Sequence, residues 1–477
     1  MDFSVYFTQL KYLIPEITLL VFALAAMVFH LFGGARGRRW AGVISLAGLL
    51  VSLWVLIFAP LNPSPIYSGT LNADAFAFFF KIIFLLAGAL SVVLAFKFFD
   101  TEGYEPGEVY YLLLFAVCGM MLTVSATDLI SFYASFELFA LVSYILAAIF
   151  KKERRSAEAG LKYFILGVLS TGIMLLGMAL VYGLSGQTNF YAIGQALAGA
   201  QAKLVLTGMI FFFIGLFFKL ALVPFHMWTP DVYEGAPTPL VAFLSTAPKA
   251  AVFAVLMRLI MSVFSGQEAA WSVLFSFIAV VTMFWGNIAA LMQTNIKRMM
   301  AYSSIAHAGY ILIGLAAWSH SGSIAVLFYL FVYLFMNTAA FAIVLLLARP
   351  HGFAENVDDL NGLAQHSPLL AGGIVVLLLS LTGIPPTAGF FGKYYLFTAA
   401  IEKGLYWLVV AGALNSVISL FYYFRIGKAI FMENPTGPEP GRSLYVRTVL
   451  YASFVAILLF GILPGLLIDF VAKVSLR

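Results

Sequence analysis

Charge is what this sequence has least of. Only 10% of its 477 residues are Asp, Glu, Lys or Arg, whereas 63% are hydrophobic; soluble domains run nearer to about 25% charged and about 45–50% apolar. A mean hydropathy of +1.01 over the whole length excludes a sizeable water-soluble domain, and the chain reads as a polytopic membrane protein. A single cysteine, Cys118, excludes a disulfide framework, a thiolate zinc site and a cysteine-ligated cluster. The six histidines show no ligand spacing, and there is neither a GxxxxGK nor a GxGxxG following a strand, so no metal, haem, nucleotide or other cofactor is expected in this chain. No cleavable leader is expected either, because the first apolar stretch is long and lacks a basic region and a small-residue cleavage site. The formal net charge of +5 would point a soluble protein towards nucleic acid. Here the basic residues sit mainly in short loops, where they set topology, and no nucleic-acid partner is expected. The 47 Phe and 23 Tyr read as lipid-facing packing and interfacial anchors.

Crossing about 30 Å of hydrocarbon takes about 20 apolar residues as a helix. That rule gives fourteen candidate spans, near 12–32, 40–60, 73–99, 108–126, 129–149, 160–184, 203–222, 238–262, 271–292, 298–317, 321–348, 368–400, 405–430 and 446–470. Helices satisfy their own backbone polar groups in lipid, so the predicted fold is an all-α multi-pass bundle. One set of loops carries Arg36, Arg38, Arg39, Lys97, Lys151, Lys152, Arg154, Arg155, Lys297, Arg298, Arg349, Lys428 and Arg442; the other carries Lys11, Lys203, Lys403, Lys473 and Arg477. Thirteen against five places the first set in the cytoplasm and, with fourteen spans, both termini outside.

A weak internal repeat is visible. ASFELFALVSYIL (134–146) in span 5 resembles YSSIAHAGYIL (302–312) in span 10; span 7 breaks at LVPF (222–225), and span 12, five spans later, at GIPP (383–386). Five helices is an odd number, so consecutive units enter the membrane from opposite sides and form inverted repeats with discontinuous helices 7 and 12. The expected organisation is three N-terminal spans in 1–107, a first five-helix repeat in 108–262, a second in 263–430, and the last helix in 431–477.

An ionisable group at the bilayer centre costs roughly 2.5–3.5 kcal/mol on insertion scales, so those present are informative. Glu137 lies near the middle of span 5, Lys219 deep in span 7, Lys249 centrally in span 8, and Lys393 after the break in span 12. His226 and His307 add groups able to titrate near neutral pH. Lys219 precedes Pro224, Lys249 directly follows Pro248, and Lys393 comes shortly after Pro385 and Pro386. A proline lacks an N–H and displaces the carbonyl four residues earlier, which frees the carbonyls of Leu220, Leu244, Leu381 and Thr382. Such groups persist at membrane depth only where protein or water satisfies them, so local hydration is expected beside each lysine. Burial disfavours a charged amine and a nearby carboxylate such as Glu137 favours it; a movable partner would therefore toggle a lysine between holding and releasing a proton.

Blander readings compete at other positions. Lys162, beside a basic loop, can snorkel as well as serve a path. Lys81 has no proline nearby and reads as snorkelling or as part of a structural pair, while Glu16, Arg258 and Arg425 read as interfacial or inter-subunit pairs. His226 and His307 stand between a relay and a hydrogen-bonded core histidine. Asp231 and Glu234, after Pro230, are explained equally well by helix capping.

The stretches TDLISFYASFELFALVSYIL (127–146), EAGLKYFILG (158–167), FKLALVPFHMWTPDVYEGAPTP (218–239), TAPKAAVFAVLMR (246–258), NIKRMMAYSSIAHAGYILIG (295–314) and GIPPTAGFFGKYYLF (383–397) resemble the antiporter-like membrane subunits of respiratory complex I, the proton-pumping NADH–quinone oxidoreductase, over about 270 residues. Among the sister subunits the sequence is most similar to subunit N. Fourteen spans without a long lateral C-terminal helix speak against subunit L, and a lysine rather than a glutamate in span 12 speaks against subunit M. The resemblance implies a proton path in which Glu137 pairs with Lys219, Lys249 and His307 continue along the axis, Lys393 faces the outer exit and Lys162 lies on the cytoplasmic entry side. It implies that NADH, flavin, iron–sulfur clusters and quinone belong to partner subunits, whose chemistry drives this one at a distance. A bacterial-type inner membrane and neighbouring membrane subunits, sister antiporter-like ones among them, are expected. No residue of the first three spans is carried over. The expected function is that of a proton-translocating, non-redox subunit. The rivals are a subunit of a multi-subunit sodium/proton antiporter and a passive scaffold of the same complex.

Overall fold

The computed structural model describes residues 7–102, 106–347, 355–435, 440–441 and 443–475. Arg349, Arg442 and Arg477, counted above for orientation, lie outside the described residues. In chain order the helices are α1 (Ile14–Phe32), α2 (Gly34–Phe58), α3 (Ala75–Glu102), α4 (Glu108–Ser125), α5 (Leu129–Ala147), α6 (Arg154–Ser185), α7 (Phe190–Leu197), α8 (Ala202–Leu220), α9 (Trp228–Gly235), α10 (Thr238–Leu244), α11 (Ala247–Ser262), α12 (Glu268–Leu291), α13 (Ile296–Ala316), α14 (His320–Leu347), α15 (Leu363–His366), α16 (Pro368–Thr382), α17 (Ala388–Glu402), α18 (Tyr406–Met432), α19 (Leu444–Ile462) and α20 (Pro464–Val474). Two compact units make up the chain. The first is built from Met1–Val92, Glu105–Leu220 and Ala247–Ala270, the second from Val93–Tyr104, Ala221–Thr246 and Trp271–Arg477.

Among the described residues thirteen helical stretches are long and apolar enough to cross a membrane. The remaining predicted span, the twelfth, is divided between α16 and α17, of 15 residues each. At 1.5 Å per residue each half is about 22 Å long, too short alone for about 30 Å of hydrocarbon. The all-helical, multi-pass fold is therefore as the composition predicts, and spans 7 and 12 are interrupted where the prolines stand.

The structure adds to that outline at three places. Span 8 is also interrupted, at Ser245 and Thr246, whose hydroxyls turn back to donate to the Ala242 carbonyl at 3.0 and 2.9 Å. Hydropathy passes over this break, but Pro248 marks it: the helix ends at Leu244, whose carbonyl that proline displaces, and resumes at Ala247. The last span ends at Ile462 instead of reaching 470; the chain turns at Leu463 and α20 starts at Pro464. Between α2 and α3, β1 (Asn62–Ile66) and β2 (Leu71–Ala73) form an antiparallel hairpin in a stretch too polar and too rich in turn residues for a span.

Several charges read as interfacial are instead paired inside one unit. In the first, Lys81 Nζ lies 2.6 Å from Glu16 Oε1, with both side chains 4% exposed. Lys81 is thus in a structural pair and is not snorkelling, and Glu16 is not interfacial. Arg258 donates to Asp74 Oδ1 at 2.7 Å and to the Val124 carbonyl at 2.8 Å, so it too is held internally. In the second unit Arg425 donates to the carbonyls of Leu291 and Gln293. Asp231 and Glu234 there bind Arg298 at 2.9 and 2.7 Å instead of capping a helix. Lys297, counted above as a loop charge, is buried and reaches Glu355 at 3.2 Å and the Glu234 carbonyl at 2.7 Å. The physical reason is common to all: a charge taken out of water requires a partner, and these partners are too distant in sequence to be read from it.

Asp74, just outside α3, allows a test. Burial pushes its carboxyl up, but the Arg258 charge and hydrogen bond, the Ala77 amide and the Lys81 charge outweigh burial and hold it below its ordinary value of 3.8. A carboxyl held down in the folded state contributes stability that is present above the unfolded value and is lost as pH falls through the folded one. Asp74→Asn is expected to destabilise the protein at pH 7 by about 3 kcal/mol, with the gap from the parent narrowing below about pH 4. Thermal unfolding in detergent across that range measures it.

Candidate functional site

In the first unit Glu137 and Tyr144 lie two turns apart on one face of α5. Lys219 is in the last turn of α8, 2% exposed. The chain leaves the helix there through Ala221 in the left-handed region (φ 59°) and a cis Val223–Pro224 bond. Lys219 Nζ sits 4.2 Å from the centre of the Tyr144 ring and 4.7 Å from that of Tyr163, and it donates a long hydrogen bond of 3.4 Å to Tyr163 Oη. The two rings meet edge to face, 4.6 Å between centres. A desolvated ammonium over such rings gains about 2 kcal/mol, so the ring faces offset part of the cost of burying the charged form. Among the described residues no ion pair joins Glu137 to Lys219, whose ammonium faces the rings instead. Glu137 is half-buried, and its Oε1 and Tyr144 Oη are buried polar atoms without a protein hydrogen-bond partner.

The other candidates of this unit are placed differently. Lys249 is 2% exposed, next to Pro248 in α11, every residue of which from Ala247 to Ile260 is buried. Lys162 binds Glu158 one turn earlier on α6, at 2.8 Å, with side chains 42% and 54% exposed. It is the most open of the group.

In the second unit, Lys393 in the first turns of α17 reaches back across the helix break. Its Nζ donates to the Thr382 carbonyl at 2.8 Å and to Ser416 Oγ at 3.1 Å, and it lies 4.2 Å from the centre of the Tyr310 ring. The Thr382 carbonyl, one of those freed by the prolines, is thus satisfied by the lysine itself. Ser416 Oγ donates to Tyr310 Oη at 3.3 Å, and the Tyr310 ring lies 5.9 Å from that of His307. His307 presents Nδ1 to Tyr329 Oη at 2.7 Å and Nε2 to Tyr423 Oη at 3.3 Å. Tyr423 Oη in turn meets Ser303 Oγ at 2.6 Å. His226 is buried near the first break, its ring 5.6 Å from that of Trp285.

The hydroxyl-bearing residues Tyr144, Tyr163, Tyr310, Tyr329, Ser416 and Tyr423 were missed by a search for charges. For two of them the sequence did hold a signal. Aligning SYIL (143–146) with GYIL (309–312) pairs Tyr144 with Tyr310, and these are the rings that face Lys219 and Lys393, each at 4.2 Å. The same alignment sets Ser303 opposite Glu137, seven residues before the tyrosine in each case. The second unit therefore has a hydroxyl where the first has a carboxylate.

Gly383, at the break in span 12, adopts φ +91°, and a Cβ there would come within 2.9 Å of Lys393 Cδ. Both the backbone conformation and the lysine's position thus require glycine. Gly383→Ala is expected to destabilise the protein by about 1–3 kcal/mol and to shift Lys393 from the Thr382 carbonyl. Thermal unfolding checks the first effect, and a structure of the variant the second.

Residues 126–419 match the family described as NADH:quinone oxidoreductase/Mrp antiporter, TM. The NADH-quinone oxidoreductase subunit N of Trichlorobacter lovleyi is 41% identical over 469 residues, covering 97% of this chain and 96% of its own. That of Rhodospirillum rubrum is 40% identical over 461 residues, covering 96% and 95%. A chain of respiratory complex I from Thermus thermophilus, solved with bound aureothin, superposes with a TM-score of 0.82 at 33% identity, covering 96% of this chain and all of that one. On identity that extends over nearly the full length, on the matched transmembrane region and on the shared fold, the chain belongs to the subunit N family of NADH–quinone oxidoreductases.

Proposed function

We propose that this chain is a proton-translocating membrane subunit of an NADH–quinone oxidoreductase, a translocase component that performs no redox chemistry itself. One observation carries the reading: in each unit a deeply buried lysine lies beside a helix break under a tyrosine ring. Groups of this kind are expensive in a membrane and mark ion pathways when present. The proposed path uses Glu137, Lys162, Lys219 and Lys249 in the first unit and His307 and Lys393 in the second, with His226 as a secondary candidate.

In the first unit the rings hold the Lys219 ammonium, and approach or withdrawal of the Glu137 carboxylate tips the balance between its charged and neutral forms. The lone Glu137 oxygen and the Tyr144 hydroxyl need a polar partner at this depth, which supports a hydrated gap between them. In the second unit a proton can pass among Lys393, Ser416 and Tyr310. His307, with a hydroxyl at each nitrogen, can take a proton on one and give it up from the other. Lys162, at an exposed ion pair, fits entry from the surface.

The same reading places the chain in a bacterial-type inner membrane with both termini on the outer side, as the loop charges argue. It makes 108–262 and 263–430 inverted five-helix repeats. It seats the chain among other membrane subunits, antiporter-like sisters included, and leaves NADH, flavin, iron–sulfur clusters and quinone to those partners. A sodium/proton antiporter subunit is the second reading, because the matched family spans both kinds of complex; sodium-dependent proton exchange without quinone turnover would favour it.

The test is NADH-driven quinone reduction and proton uptake measured together in vesicles carrying Lys219→Ala, with assembly verified. Both are expected to fall by about tenfold or more. Normal rates of both in an assembled complex would reduce the lysine to a structural role and favour a passive scaffold.

A further inference from the structure

In the second unit a groove of about 280 Å³ runs between α16 and α18. Val375, Leu378, Leu379 and Thr382 line it from α16, at the three- and four-residue spacing of a single helix face. From α18 come Leu420, Tyr423, Phe424, Gly427 and Phe431, again at helical spacing, with Lys428 and Met432 at one end. From Leu420 to Met432 the helix rises about 18 Å, close to the roughly 15 Å that one leaflet contributes to the hydrocarbon core. Phe424 and Phe431 are 62% and 50% exposed along its rim.

At Lys428 the groove meets a polar recess of about 440 Å³ that is lined by Arg425, Lys428, Asp358 and Glu433 as well. Two positive and two negative side chains therefore border one space at the end of an apolar slot. Lys428 lies 2.8 Å from Glu433, both side chains being about half exposed. Arg425 spends its terminal nitrogens on backbone carbonyls, and its Nε is buried without a hydrogen-bond partner.

We propose that slot and recess together hold one glycerophospholipid with an amine head group. An acyl chain lies along α18, the phosphate faces Lys428 and Arg425, and the ammonium faces Asp358 and Glu433. The charge pattern selects this occupant. An anionic head group without an amine would draw Lys428 from Glu433 and bring no cation for Glu433 and Asp358, and a quinone likewise carries no cation for those carboxylates. The slot's volume is about nine water-sized volumes, room for a file of methylene groups and far too little for a neighbouring helix about 10 Å across. The chain so bound lies against Thr382 and Tyr423, whose polar atoms contact Lys393 and His307, and walls that cluster off from the bilayer. The lipid site is read from the groove and its charges, so it stands or falls independently of the proton path.

The experiment uses the whole complex reconstituted with a phosphatidylethanolamine that carries a photoreactive diazirine in its acyl chain, followed by peptide mapping of the adducts. Labelling is expected on residues 375–382 and 420–432 and to be displaced by unlabelled phosphatidylethanolamine but not by phosphatidylglycerol. Gly427 lines the slot and a Cβ there would meet nothing within 4 Å, so Gly427→Trp places its side chain in the slot and is expected to abolish the adducts. Lys428→Glu, at an exposed side chain, is expected to weaken them about fivefold. Labelling no stronger there than on the outward face of α2, equal displacement by phosphatidylglycerol, or labelling unchanged in Gly427→Trp would each overturn the proposal. So would a cross-link from those residues to a neighbouring subunit in place of lipid.

Discussion

The paired charges of this chain answer to one constraint: a buried charge or a broken helix needs a partner, and lipid offers none. The fold meets the demand in three ways. Carboxylates pair with bases in Glu16–Lys81 and Asp74–Arg258. Backbone carbonyls hold Arg425, Lys297 and Lys393. Ring faces hold Lys219 and Lys393. These solutions differ in what they leave free to change. A close ion pair fixes both charges, whereas a ring face favours a charge without supplying a counter-ion, so the lysine can still gain or lose a proton without leaving a buried carboxylate stranded.

The two lysine sites repeat the ring and the break but not the rest. Lys219 closes the half-helix before its break, while Lys393 opens the half-helix after its own. The first has a carboxylate seven residues before the tyrosine; the second has Ser303 there, joined through Tyr423 to His307. The first site thus combines a carboxylate with a lysine under ring faces, whereas the second joins hydroxyls and an imidazole by hydrogen bonds.

Much of this was legible in the sequence, and what escaped did so for physical reasons. Span length, loop charge and proline position are local properties, so the helices, the breaks in spans 7 and 12 and the depth of Lys219, Lys249 and Lys393 could be read directly. The break in span 8 was marked by Pro248 alone, because two hydroxyls in an apolar run leave no trace in hydropathy. The partners of Lys81, Arg258 and Arg298 escaped because each lies more than sixty residues away. The tyrosines escaped because aromatic residues in a membrane helix look like packing until a cation is seen over the ring. Only the SYIL and GYIL match marked Tyr144 and Tyr310 as a pair, and that match says nothing of the lysine each one faces.

The bond from Lys393 to the Thr382 carbonyl joins the two halves of span 12. An ammonium donates hydrogen bonds roughly twice as strong as those of a neutral amine, so the strength of this tie follows the lysine's protonation state. A proton leaving Lys393 would slacken the strut between α16 and α17, and one arriving would tighten it. A hinge at this break would then have a stiffness set by a single proton.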